Sequence, residues 1–132
     1  MKVQLVSLQS HGDERGSLIA LEQDRNIPFE VKRVYYMFDT KSGVRRGFHA
    51  HKKLKQMAIA VTGSCKFLLD DGNEKIEVIL SNPKQGLIVE SFLWHEMYDF
   101  SEDCVLLVMA DSFYDEDDYV RDYDEFLELC HN

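Results

Sequence analysis

Short apolar runs recur along the chain: Ser17–Glu22, Val31–Asp39, Phe48–Val61, Lys66–Leu69, Ile76–Leu80, Gly86–Val89 and Val105–Ala110. The breaks between them fall at KSG, TGS, DDGN, SNPKQG and FSED. Many short strands ended by Gly, Asn and Asp turns predict an antiparallel sandwich or barrel. Asp71-Gly72, set between LL and IEVIL, is the strongest hairpin signal. KVQLVSL near the start reads as an edge strand, whose open backbone groups seek a partner and make it a candidate for dimerisation. Only the end has helical periodicity. Tyr119, Tyr123, Phe126, Leu127 and Cys130 fall at i, i+4, i+7, i+8 and i+11, with acids opposite, and predict a helix that covers the barrel.

With 132 residues, 45% hydrophobic, the chain suits one domain over 1–132 with one modest core, and it is too apolar for a disordered chain. No apolar run approaches the ~20 residues of a membrane span, and Met1-Lys2 does not open a signal sequence. The expectation is a cytoplasmic protein with no membrane contact. Cys65, Cys104 and Cys130 form no CxxC pair, and the first two lie in apolar runs, where cysteine packs as a small reduced hydrophobe.

A net charge of −9 argues against nucleic-acid binding, which needs a basic footprint. The charge is unevenly spread, however. Lys32 to Lys55 holds eight basic residues and one acid, whereas Asp111 to Glu128 holds nine acids and only Arg121. A basic island on an acidic protein fits a small anionic ligand. The acidic run reads as a solvated face and helix cap.

The segment Gly47–Gly63 carries the chemistry. Residues two apart in a strand share a face, so His49 and His51 point together, while Phe48 and Ala50 face the opposite layer. Gln56 lies five residues beyond His51, and His95 arrives in SFLWHEM. Imidazoles sharing the inner face of a small barrel form either a proton-transfer site or a metal site. HxH, four residues, an acid or amide, six residues and Gly, with a later His, resembles the motifs of the cupin barrel. Here the usual Glu ligand is Gln56 and the usual Asn after the last His is Asp99. An amide in place of a carboxylate removes one charge from a divalent site, which argues for no metal and no cofactor.

RRGFHAHKKLKQ, with RGSLIALE, KRVYYMFD, WHEMYDFSEDCVLLVMADSFYDEDDY and RDYDEFL, resembles the nucleotide-sugar 3,4-ketoisomerases over almost the whole chain. That resemblance implies an all-β cupin jelly-roll barrel of antiparallel strands with a short C-terminal helix. It also implies a metal-independent homodimer acting on dTDP-4-keto-6-deoxyglucose; exchange of the N-terminal strand is one way to build the dimer.

Moving a carbonyl from C4 to C3 needs a base of near-neutral pKa and donors for the developing oxyanion. His49 is assigned as the carbon base and His51 as its partner, although the pattern alone admits the reverse. For the diphosphate, Arg33 and Arg46 are preferred over Lys52 and Lys53, because a guanidinium offers a bidentate fork. Tyr35 shares the parity of Arg33 and is expected to face inward, and Gln56 is expected to donate to the ligand. The resemblance places Arg15 and His95 at positions that set product configuration, and Arg-Gly at 15–16 with Trp-His at 94–95 looks like the galacto-forming branch. A gluco product, 3,5-epimerisation of the same sugar and a non-catalytic cupin sensor are the alternatives.

Overall fold

The computed structural model describes residues 1–132. Its strands are β1 (Gln4–Ser7), β2 (His11–Asp13), β3 (Gly16–Leu18), β4 (Arg33–Met37), β5 (Arg46–His51), β6 (Gln56–Thr62), β7 (Cys65–Asp70), β8 (Lys75–Leu80), β9 (Gln85–Val89), β10 (Trp94–Tyr98), β11 (Val105–Ala110) and β12 (Tyr119–Val120). One helix, α1 (Tyr123–His131), closes the chain. Two five-stranded sheets, β1-β9-β6-β11-β4 and β12-β5-β10-β7-β8, face each other, with β2–β3 as a separate hairpin. The strands pair antiparallel throughout, giving the expected jelly roll.

Period-2 alternation decides which side chains meet between the sheets. Ala58 and Ala60 of β6, Phe67 and Leu69 of β7, Leu87 and Val89 of β9, and Leu106 and Val108 of β11 fill that space. Their neighbours in sequence face outward into two smaller clusters. Met57, Ile59, Ile88 and Met109 pack beneath Leu8, Ile27 and Phe29. Ala50, Trp94 and Val120 pack beneath Phe126 of α1. Burying the Phe126 ring contributes about 2 kcal/mol over leaving it in water, which is why so short a helix docks. No helix is long and apolar enough to cross a membrane.

The hairpin signal is met: Asp70 pairs with Lys75, Gly72 takes φ +95°, and Asp71 Oδ1 accepts from the amides of Asn73 and Glu74 at 2.9 and 2.8 Å. β1 is an edge strand, paired on one side with β9.

Three details differ from the pattern-based expectation. Ser17–Glu22 is strand only to Leu18; Ile19 and Leu21 leave the ladder to pack on the outer apolar cluster. The run Phe48–Val61 divides into β5 and β6, which belong to opposite sheets. Tyr119, which continues the helical spacing in sequence, lies in β12 opposite His51. The helix begins later because Asp122 caps it, accepting from the Glu125 amide at 3.1 Å.

Candidate active site

A backbone irregularity aims the histidine strand. Gly47 (φ +92°) and Phe48 (φ +60°) are both left-handed, and the β5–β10 register shifts there, pairing His49 with His95 but Gly47 with Glu96. Such a bulge kinks a strand and re-aims the side chains beyond it. Phe48 consequently stands 44% exposed on the outer side, while Ala50 is buried under α1. A Cβ on Gly47 would lie 2.7 Å from the His95 carbonyl oxygen, so this position needs glycine for space as well as for φ. Gly47→Ala is expected to destabilise the fold by about 2 kcal/mol or more, read as a lowered Tm. An unchanged Tm would show that the bulge relaxes freely.

Beyond the bulge, strand parity brings three imidazoles together. The His49 ring lies 5.0 Å from His51 and 4.6 Å from His95, centroid to centroid. His49 Nδ1 contacts the Gly47 carbonyl at 3.1 Å and His95 Nδ1 contacts the Leu93 carbonyl at 3.0 Å. A carbonyl only accepts, so each Nδ1 carries the proton and each Nε2 keeps a lone pair. Burial holds all three rings below the ordinary histidine range. It lowers His49 against the opposing pull of the Gly47 carbonyl, and it pushes His51 and His95 down to about 3, with the neighbouring His49 lowering both further. They are neutral bases at physiological pH.

His49 opens onto a cavity of about 260 Å³ that it lines with Arg33, Tyr35, Met37, Arg46, Met97 and Tyr119. Arg33 and Tyr119 also wall a second cavity of about 210 Å³, which His51, Lys53 and the carboxylates of Asp111, Asp115 and Asp118 share. The basic island is therefore sorted by the fold. Lys32, Arg45 and Lys55 pair with Glu30, Glu96 and Glu90. Arg33 and Arg46 have no carboxylate within 4.0 Å, and the buried Arg33 Nε has no hydrogen-bond partner. The Arg33 guanidinium stands 5.2 Å from the Tyr35 ring centroid. Those two arginines are cations facing a cavity without a counter-ion.

The remaining expected residues sit at different depths. Tyr35 does face inward, and its hydroxyl, pushed up to about 12 by burial, donates to Gln56 Oε1 at 2.6 Å. Gln56 lines neither cavity and meets the site only through that bond. His95 is 3% exposed and lines neither cavity; it supports the His49 ring. Arg15 is not brought to the histidines within one chain. It sits on the exposed β2–β3 hairpin, clamped by Asp13 at 2.6 Å, because the hairpin projects from the sandwich.

Two residues of the acidic run, which the sequence pattern presents as solvated, belong to the site. The Tyr119 ring lies 4.9 Å from His49 and 4.4 Å from His51, and Arg121 covers its outer side at 4.1 Å. The Asp118 carboxylate accepts from the backbone amides of Lys53 and Leu54 at 2.9 and 3.2 Å. The spacing Asp122-x-x-Glu125 was the available signal. It starts the helix at 123 and releases 118–120 to pair with β5.

His49, His51 and His95 are also the residues that could hold a metal, with one nitrogen of each within 4.8 Å of the others. A tetrahedral zinc site needs nitrogens about 3.4 Å apart, so the rings would have to close in, and Gln56 would add no charge.

A jelly roll that sets a neutral imidazole and two arginines without carboxylate partners around the His49 cavity defines a cupin-type barrel with cations free for an anionic group. A family model described as "FdtA: WxcM-like, C-terminal" matches residues 1–131. The chain is 52% identical over 126 residues to the TDP-4-oxo-6-deoxy-alpha-D-glucose-3,4-oxoisomerase of Aneurinibacillus thermoaerophilus, covering 96% of this chain and 91% of that one. Among solved structures, a 3,4-ketoisomerase from Helicobacter canadensis superposes with a TM-score of 0.96 at 46% identity, over 100% and 99% of the two chains. QdtA of Thermoanaerobacterium thermosaccharolyticum, a sugar 3,4-ketoisomerase in complex with TDP, gives 0.96 at 40% identity over 98% and 94%. The chain belongs to this FdtA/WxcM-like family of 3,4-ketoisomerases, which are isomerases.

Proposed function

We propose that the chain converts TDP-4-keto-6-deoxyglucose to the TDP-linked 3-keto-6-deoxygalactose by proton transfer through an enediolate. The observation that carries this reading is His49: a neutral imidazole with its Nδ1 proton on the Gly47 carbonyl, lining the cavity that two unpaired arginines also line. The 4-ketone acidifies C3–H. His49 Nε2 removes that hydrogen as a proton, and the C–H electron pair forms a C3=C4 double bond with charge on O4. His51, or a group it orients, moves the O3 hydroxyl proton to O4. The carbonyl then re-forms at C3 as C4 takes its proton from His49.

Stereochemistry supports the galacto product. H3 of the gluco substrate and H4 of a galacto product lie on the same ring face, so one imidazole both removes and returns the proton. A gluco product needs a second acid on the other face. His49 is the ring of the three that lines the arginine cavity, and His95 is buried behind it. The product's 3-ketone is what an aminotransferase consumes, which fits the biosynthesis of a deoxyamino sugar for a surface glycan such as lipopolysaccharide or an S-layer glycan.

The assembly that fits is a cytoplasmic homodimer. Leu18, Val34, Tyr36, Phe38 and Val61 leave apolar surface exposed on the hairpin and the outer face of the β1–β4 sheet, and β1 leaves an open edge. A second copy on that face would cover both, with or without exchange of β1, and bring a second Arg15 hairpin to the interface.

The test is turnover of TDP-4-keto-6-deoxyglucose in deuterated water, followed by NMR. The expected result is a carbonyl at C3, one deuterium fraction at C4 and galacto couplings. Deuterium at C5 with the carbonyl still at C4 would make the protein a 3,5-epimerase and end this reading. Chelation supplies a second check: dialysis against EDTA is expected to leave kcat unchanged. Loss of activity restored by a divalent metal would overturn the proposal that imidazole acts alone.

A further inference from the structure

β12 returns the acidic run to the mouth of the histidine site, and Asp118 just before it makes contacts that a solvated residue lacks. Its Oδ1 accepts from the Lys53 amide, and its Oδ2 accepts from the Leu54 amide. Its own carbonyl accepts from the Lys52 amide at 3.0 Å. The turn Lys52–Lys55 that separates β5 from β6 is thereby tied to Asp118 immediately after His51. Asp118 Oδ2 also stands 3.3 Å from His51 Nδ1. The approach is off the N–H axis, so that nitrogen, buried in a ring 3% exposed, has no aligned partner in the ligand-free protein.

The other two rings show what is missing. His49 and His95 each have Nδ1 settled by a backbone carbonyl, which leaves Nε2 free to accept. His51 has no carbonyl at that position and has a carboxylate instead. Catalytic hydrogen bonds that are long or misaligned in a free enzyme tighten when substrate fills the site. We infer that Asp118 is the positioning residue for His51, holding it in the Nδ1–H tautomer so that its Nε2 accepts and passes on the sugar hydroxyl proton. The inference rests on the proposed role of His51 as proton carrier and gives that role its missing orienting group. The other groups facing His51 cannot do this. His49 of β5 and His95 of β10 present their own rings, Tyr119 of β12 presents its ring tilted by 60° at 4.4 Å, and Arg33 of β4 and Arg121 only repel a charged imidazole.

The test combines kinetics with nitrogen-15 NMR of the imidazoles in the full-length protein, with TDP added to fill the nucleotide site. Wild-type His51 is expected to show a protonated Nδ1. In Asp118→Asn the charge is lost and one of the two backbone amides meets an N–H instead of an acceptor, so the hold on the His51 tautomer should weaken. The kcat should fall about 10- to 100-fold with KM little changed, as for loss of one charge-assisted hydrogen bond. Because Asp118 also ties the turn, Asp118→Asn is compared with His51→Asn and with the double variant. If Asp118 acts through His51, the double variant is no slower than His51→Asn alone. Multiplying losses, or an unchanged His51 tautomer in Asp118→Asn, would reduce Asp118 to a turn-holding residue and overturn the inference. A wild-type protein without ketoisomerase turnover would instead sink the functional reading, while the tautomer measurement would still decide the contact.

Discussion

Replacing His49 with asparagine is expected to lower kcat by roughly 10³-fold, within the range supplied by a positioned general base. Asparagine keeps a polar side chain of similar reach and can keep the Gly47 contact, so Tm and TDP affinity should stay near wild type. The pH profile carries the same information. Burial holds the His49 pKa below 6.5, and the base acts only when neutral. Wild-type kcat/KM should therefore be flat above pH 6.5 and fall on acidification through the lowered His49 value; the residual rate of His49→Asn should lack that acid limb. Stability has the same sign. Three histidines whose folded pKa values lie below the unfolded value leave the unfolded state binding more protons, so stability is complete above pH 6.5 and declines as pH falls towards 3. Retention of both turnover and the acid limb in His49→Asn would remove this residue from the mechanism.

The parts of this site legible in sequence are those governed by strand parity. His49 with His51, and Arg33 with Tyr35, read as pairs sharing a face, and the two strands present them inward as alternation requires. Parity does not supply depth. Gln56 and His95 lie on the inner face too, yet they sit behind Tyr35 and His49, and a period of two says nothing about which inward side chain reaches the cavity. Asp118 and Tyr119 are hidden for a different reason: nine acids in one stretch look solvated, and Tyr119 extends the helical spacing of Tyr123 and Phe126 by one apparent turn. The Asp122 cap overrides that periodicity. Arg15 shows a third limit. Its relevance comes from resemblance, and in a single chain its hairpin pairs it with Asp13, away from the histidines.

Arg33 is the second residue whose replacement should have a large effect, and it should act in two opposite directions. Its guanidinium borders both cavities, its Nε is buried without a partner, and no carboxylate lies within 4.0 Å. An unsatisfied buried donor costs about 1–3 kcal/mol, a cost carried by the free protein and relieved when an anion arrives. Arg33→Met keeps most of the side-chain volume against Tyr35 and removes the charge. The free variant is therefore expected to melt at a higher temperature than wild type, while the rise in Tm on adding TDP shrinks. With substrate, KM should rise roughly 10- to 100-fold and kcat change little, because a diphosphate contact is similar in ground and transition states. Arg33→Lys should recover only part of that loss, since an ammonium cannot form the bidentate fork. Arg46→Ala should raise KM less, because Arg46 is exposed and its charge is screened by water and salt. A fall in kcat at unchanged KM in Arg33→Met would place Arg33 at the reacting carbons instead of the diphosphate. A lowered Tm in the free variant would mean that its packing outweighs its unpaired charge.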